Sequence, residues 1–153
     1  MKTSRKGHID LKNFLPHRPP MLMVSKLIHI NDASVHTEFT IKEDCVFVKN
    51  GIFSETGLIE NAAQTCSAIV GQSYFDKEDL EGEGNNLVGY ISAIKKVEIF
   101  NLPKQGKVIT TKASLVSRFD TGSLTICSID CSTFNNDDLI VACTLNFIIH
   151  EVE

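Results

Sequence analysis

The spacing of apolar residues in this chain changes from a strand pattern to a helix pattern and back again. Residues 35–42 alternate between apolar and polar side chains, which is typical of a half-buried strand. From Ile59 to Val70 the apolar residues recur at helical spacing, so one stripe of a helix faces a core. The pattern predicts one long helix over residues 57–75, with Ser54 or Thr56 as its N-cap.

Strand patterns flank this helix on both sides. Two precede it, at residues 21–30 and 35–42, and the first of these is either a strand throughout or a short helix that enters a strand. Four follow, at residues 87–100, 107–117, 123–134 and 139–150. Short turn segments separate the last four, so these strands are antiparallel. A single helix can fill the concave face of one curved sheet. The sequence therefore predicts a single α+β domain over residues 1–153, with a curved antiparallel sheet wrapped around one long central helix.

Three other segments have no regular pattern. Residues 14–20 contain Pro16, Pro19 and Pro20, which predicts a stiff, extended lead-in. Residues 44–56 are predicted to be irregular, and residues 76–86 to form an acidic, exposed loop.

Charge and composition narrow the classes of function. The net charge is −4 and basic residues do not cluster, which argues against a nucleic-acid partner. No apolar run approaches the roughly 20 residues of a membrane-spanning helix, and the N-terminal residues lack a signal-peptide pattern, so we predict a cytoplasmic protein. The five cysteines, an odd number, are predicted to be reduced core residues. Their spacing does not provide a metal site, and we predict neither a metal nor a cofactor.

A second stripe on the predicted helix carries polar chemistry. Glu60, Gln64 and Ser67 lie at positions i, i+4 and i+7, so they share one side of the helix. A carboxylate and an amide one turn apart can polarise a substrate carbonyl or move a proton. The alternative is an ordinary solvated face.

Three segments together resemble one known family. They are residues 15–24 (LPHRPPMLMV), residues 58–64 (LIENAAQ), and residues 88–97 followed by Pro103 and Gly106. They resemble the hotdog-fold 3-hydroxyacyl-acyl carrier protein dehydratases of fatty-acid synthesis. The resemblance implies a hotdog fold and an acyl thioester on acyl carrier protein or coenzyme A as the substrate. Because one helix leaves the sheet edges uncovered, we also expect a homodimer or a heterodimer with a related chain.

One residue that this family uses is missing. The resemblance implies that Glu60 is the catalytic acid or base, but an ungapped count places Val46 where the family has its catalytic histidine. Valine cannot accept a proton, so the usual pair of histidine and carboxylate is not available at these positions. His17 is the substitute base to consider, although the resemblance implies a structural role for its segment. The remaining histidines, His8, His29, His36 and His150, are interpreted as surface residues without partners.

The resemblance also implies a set of substrate-binding groups. Gln64 supports the carboxylate by a hydrogen bond, and Val46 lines the site in place of the histidine. Free backbone N–H groups at the helix start, near Glu55, Thr56 and Gly57, can bind a thioester carbonyl as an oxyanion hole.

The sequence is compatible with three functions. The first is a dehydratase of fatty-acid or polyketide-type synthesis that uses Glu60, and the second is a thioesterase in which Glu60 activates water. The third is a non-catalytic acyl-binding subunit that pairs with an active relative.

Overall fold

The computed structural model describes residues 9–71 and 87–151 of the chain. The regular elements in these ranges are one short 3-10 helix, one α-helix and eight strands, bounded as follows: Leu11–Asn13 for the 3-10 helix, Glu55–Gly71 for α1, Lys26–Ile30 for β1, Ser34–Thr40 for β2, Val48–Lys49 for β3, Ile52–Phe53 for β4, Leu87–Ile99 for β5, Val108–Asp120 for β6, Leu124–Asn135 for β7 and Asp138–Glu151 for β8.

Six of the strands form one antiparallel sheet around α1. Their order is β1-β2-β6-β7-β8-β5, so β5 lies at one edge of the sheet. The apolar stripe of α1, including Leu58, Ala62 and Cys66, is buried in one core with inward residues of the sheet such as Ile109 and Leu145. This confirms the predicted order of two strands, one long helix and four strands.

The segment before the helix is more regular than the sequence pattern indicates. The prediction of irregular structure over residues 44–56 is wrong in part, because β3 and β4 form a small hairpin and α1 begins at Glu55. Asn50 and Gly51 both have positive φ, 53° and 75°, as a tight hairpin turn requires. The helix starts early because Ser54 caps it, accepting the N–H of Gly57 at 3.3 Å. The predicted helix end at residue 75 and the loop at residues 76–86 lie outside the described residues.

The proline-rich lead-in also differs from the prediction. It is not uniformly extended, because the backbone N–H groups of Met21 and Leu22 both donate to the carbonyl of Arg18, at 3.0 and 3.1 Å. Proline fixes φ but leaves ψ free, so a proline-rich segment can turn as well as extend. The turn brings residues 21–24 alongside α1, where Met23 and Val24 are buried.

The cysteines of the described chain are all free, and four of them are buried. Cys131 on β7 lies directly opposite Cys143 on β8. The hydrogen bond with Cys131 and burial both raise the pKa of the Cys143 thiol, which keeps it protonated. These thiols therefore pack as small core side chains, as predicted. No group of histidine, cysteine or acidic side chains within residues 9–71 and 87–151 is arranged to hold a metal ion.

Close packing at the start of α1 leads to a stability prediction. A Cβ atom on Gly57 would lie 2.5 Å from the Phe53 ring and 2.7 Å from the Cβ of Phe47. We expect Gly57→Ala to lower the free energy of unfolding by about 1–3 kcal/mol through overpacking. Urea unfolding measures the loss. Gly89→Ala is the control, because its Cβ would make only an ordinary 3.7 Å contact with Ile149; equal stability of the two variants would contradict this account.

Candidate active site

The predicted polar pair on α1 is connected by a hydrogen bond. Gln64 Nε2 donates to Glu60 Oε1 at 2.8 Å, one helical turn away. Glu60 is half-buried, whereas Gln64 is only 1% exposed. The amide therefore fixes one oxygen of the carboxylate. The other oxygen, Oε2, has no hydrogen-bond partner among the described residues.

Gln64 also binds the N-terminal segment. Its Nε2 donates to the carbonyl of Met21 at 2.8 Å, and its Oε1 accepts the N–H of Met23 at 2.7 Å. Both amide hydrogens and the oxygen are thus engaged within the protein. The alternative of a solvated polar stripe is wrong for Gln64, because residues 21–24 cover this side of the helix.

Asn61 is a second buried amide that the sequence analysis missed. It is 0% exposed, donates from Nδ2 to the carbonyl of Met23 at 2.7 Å, and accepts at Oδ1 from the Thr111 hydroxyl at 2.6 Å. Thr111 in turn contacts the hydroxyl of Thr133 at 3.0 Å. A continuous buried network therefore runs from the sheet through Asn61 and the backbone of Met23 to Gln64. The signal in the sequence was an amide beside the apolar stripe of a core helix, opposite inward-facing threonines.

His17 lies near enough to Glu60 for the carboxylate to influence the pKa of the imidazole. Its ring is half-buried, and its Nδ1 is buried without a hydrogen-bond partner among the described residues. Burial lowers the pKa of His17, the nearby Glu60 carboxylate raises it, and Arg18 lowers it. The guanidinium of Arg18 donates to the carbonyls of Leu15 and His17, both at 2.8 Å, so Arg18 anchors this segment. The fold thus brings an imidazole and a carboxylate together from positions 43 residues apart in the sequence.

Of the three backbone N–H groups predicted to form an oxyanion hole at the start of α1, two are available to a ligand. Glu55 and Thr56 are exposed, and their N–H groups have no acceptor among the described residues. The N–H of Gly57 donates to Ser54 Oγ, and Gly57 itself is buried, so this amide is already occupied. Val46 lies between β2 and β3 and is 49% exposed.

Three other histidines do not fit their interpretation as surface residues without partners. The rings of His29 and His36 are 5.4 Å apart, on directly paired positions of β1 and β2. His150 stacks on Tyr90 at 5.7 Å. The interpretation is wrong for these three, since facing strands bring rings together that are distant in sequence; His8 lies outside the described residues.

One curved antiparallel sheet around a single long helix is the architecture of the hotdog proteins. A family model described as ApeP-like, ApeP dehydratase, matches residues 9–151. The chain belongs to the ApeP-like dehydratase family. None of the curated proteins gives a significant sequence match.

Solved structures place the chain in the same fold. It is similar to the dehydratase heterocomplex ApeI:P from Xenorhabdus doucetiae, with a TM-score of 0.75 and 18% identity over 96% of this chain and 93% of that one. It also resembles a hypothetical thioesterase with coenzyme A from Streptococcus pneumoniae TIGR4, with a TM-score of 0.60 and 12% identity over 82% and 85%. Cj0977, a sigma28-regulated virulence protein from Campylobacter jejuni, gives 0.62 and 12% over 90% and 82%. These likenesses confirm the hotdog fold.

Proposed function

We propose that this chain is a subunit of a dehydratase that acts on 3-hydroxyacyl thioesters, with Glu60 as a proton-transferring residue. The observation that carries the proposal is the Glu60–Gln64 hydrogen bond of 2.8 Å. It fixes one carboxylate oxygen and leaves Oε2 free of protein partners within the described residues. A general acid or base needs such a fixed orientation before its proton affinity matters. Membership of the ApeP-like dehydratase family supports the reaction class.

The substrate is proposed to be an acyl chain in thioester linkage to acyl carrier protein or coenzyme A. The thioester carbonyl binds the N–H groups of Glu55 and Thr56, where the dipole of α1 adds a partial positive charge. Val46 contributes an apolar contact at the position of the family's histidine. One of the similar solved structures is a hypothetical thioesterase with coenzyme A, and this similarity supports a thioester ligand for the present chain.

The edge of the sheet supports a dimer. Strand β5 pairs only with β8 among the described strands, and it carries large apolar side chains that are 39–57% exposed: Tyr90, Ile91, Ile94, Val97 and, just beyond its end, Phe100. An unpaired apolar edge of this length is open to pairing with another strand. We propose that a second hotdog chain, identical or related, pairs there.

The dimer gives a direct prediction. The wild-type chain, alone or with its related partner, is expected to sediment at about twice the 16.9 kDa chain mass. Ile94→Lys introduces a charge on β5 and should weaken the dimer, measured by sedimentation velocity. Val116→Lys is the matched control, since Val116 is 59% exposed on the interior strand β6. If the wild-type chain sediments as a 16.9 kDa monomer at micromolar concentration, both alone and mixed with its related partner, the proposal is refuted.

A second candidate function is a non-catalytic acyl-binding subunit beside an active relative. Val46 favours this alternative, because it replaces the catalytic histidine of the 3-hydroxyacyl-acyl carrier protein dehydratases that the sequence resembles. The heterocomplex ApeI:P among the similar structures supports pairing with a different chain.

One set of assays tests these alternatives. The purified chain, alone and co-purified with a related hotdog chain, is assayed against a 3-hydroxyacyl, an enoyl and a saturated acyl thioester. Interconversion of the first two supports the dehydratase. Hydrolysis of the saturated thioester would instead identify a thioesterase. If the complex is active but remains fully active with Glu60→Gln in this chain, the non-catalytic subunit is correct.

A further inference from the structure

We propose that His17 is the second proton-transfer residue of the Glu60 site. An imidazole from the N-terminal segment and a carboxylate from α1 would act on the same bound substrate. The inference rests on the proposed dehydratase function and deepens it, because it assigns a base to a chain that has Val46 at the family's histidine position.

The first argument is the way in which the two groups are held together. Gln64 binds the Glu60 carboxylate and, with the same side chain, the backbone of Met21 and Met23. Asn61, one turn earlier, binds the carbonyl of Met23. Two buried amides of α1 therefore attach the N-terminal segment to the turn of the helix that bears Glu60.

The second argument is the local fixation of His17. The carbonyl of Arg18 accepts the N–H groups of Met21 and Leu22, which closes a turn just after His17. The guanidinium of Arg18 then binds the carbonyls of Leu15 and His17. The backbone that carries the imidazole is thus held on both sides, as a catalytic group requires.

The third argument is an unpaired buried atom. Nδ1 of His17 is buried and has no hydrogen-bond partner within residues 9–71 and 87–151. Leaving a buried polar atom unpaired costs free energy, so such a case calls for an explanation such as a catalytic role. Because Nδ1 is closed to solvent, a substrate can reach the ring at Nε2, which no hydrogen bond among the described residues occupies.

The charge state of the ring suits a base. Two charged groups act on His17: Glu60 favours the imidazolium, and Arg18 disfavours it. Burial is the largest influence and lowers the pKa of His17. The ring is therefore neutral at neutral pH, and its lone pair is available.

His17 and Glu60 together account for both proton transfers of the dehydration. His17 accepts the proton from C2 of the 3-hydroxyacyl thioester, and the electrons of that C–H bond form the C2=C3 double bond. The C3–O bond breaks, and the hydroxyl leaves as water with a proton from the acid form of Glu60. Transfer of a proton from the His17 imidazolium to the Glu60 carboxylate then restores both groups.

His17→Asn tests the assignment in the active assembly, whether that is the homodimer or the complex with a related chain. Asn keeps a polar group near the position of Nδ1 but does not titrate. We expect kcat to fall by at least about 10²-fold with KM changed little, and kcat/KM to lose its acid-side decline with pH. His36→Asn is the matched control, a half-buried histidine on β2 whose pKa burial also lowers; its kcat should remain within twofold of wild type.

A second measurement does not depend on turnover. The pKa of the His17 ring, followed by NMR, should be lower in Glu60→Gln than in wild type, because the carboxylate that raises it is gone. If His17→Asn does not fold, His17→Gln takes its place.

Three results overturn the inference. A kcat within twofold of wild type for His17→Asn removes His17 and leaves the proposed function standing. An unchanged ring pKa in Glu60→Gln removes the pairing. Inactivity of the wild-type assembly on every thioester defeats the proposed function, and this inference with it.

Discussion

Glu60→Gln is expected to lower kcat for the dehydration of a 3-hydroxyacyl thioester by at least about 10²-fold. The neutral amide cannot release or accept the proton. The carbonyl oxygen of the new side chain can still accept the hydrogen bond that Gln64 Nε2 donates to Glu60 Oε1 at 2.8 Å. The fold should therefore survive, and the loss should appear in kcat and kcat/KM together, as for an interaction made in the transition state.

The control for this variant is Glu43→Gln, which removes an exposed carboxylate from the loop after β2. Its activity should match wild type, which separates the loss of one specific carboxylate from a change in net charge. Steady-state kinetics on the active assembly measure both variants. Equal turnover by wild type and Glu60→Gln would show that this carboxylate is not the reacting group.

Asn61→Leu is expected to reduce the free energy of unfolding by about 2–4 kcal/mol. The side chain is similar in size, so the loss comes from polar groups left unpaired. Asn61 is 0% exposed, and its removal leaves the carbonyl of Met23 and the hydroxyl of Thr111 without this partner. Thr111 keeps its contact with Thr133, which limits the loss. Urea unfolding at constant pH measures the change.

Two controls make this prediction specific. Ser67→Ala removes a hydroxyl that, among the described residues, bonds only to the carbonyl of Gln64 in the same helix, and should cost less than about 0.5 kcal/mol. Combining Asn61→Leu with Thr111→Val removes both side chains of the buried hydrogen bond, and should recover part of the stability. A single Asn61→Leu variant as stable as wild type would contradict the network.

Much of the fold could be predicted from local patterns. The alternation over residues 35–42 correctly placed Val35, Phe39 and Ile41 in the core, where they are at most 7% exposed. The four strands after the helix, and the short turns between them, also follow from alternation and turn residues. These features are local because a strand or helix that buries one face repeats its apolar residues at the period of that structure.

Within the candidate site, a contact was predictable only where both contacting residues lie on the same helix. The spacing of four residues predicted that Glu60 and Gln64 share one side of the helix, and the family resemblance implied the hydrogen bond between them. The short hairpin of β3 and β4, and the turn at Arg18, were missed because two-residue strands and mixed proline segments carry too little pattern. The contact between Asn61 and Thr111 spans 50 residues and leaves no periodic signal.

The sequence by itself therefore determined the long helix, the six strands of the main sheet, their order along the chain and the face of α1 that bears the carboxylate. Only the tertiary structure decided what covers that face. Residues 21–24 lie along it and occupy Gln64 and Asn61 with backbone hydrogen bonds, and His17 is carried to Glu60 in the process. The physical reason is that amphipathic patterns fix which side of an element seeks burial, whereas the pairing of buried polar groups depends on which distant segment supplies the matching donor or acceptor.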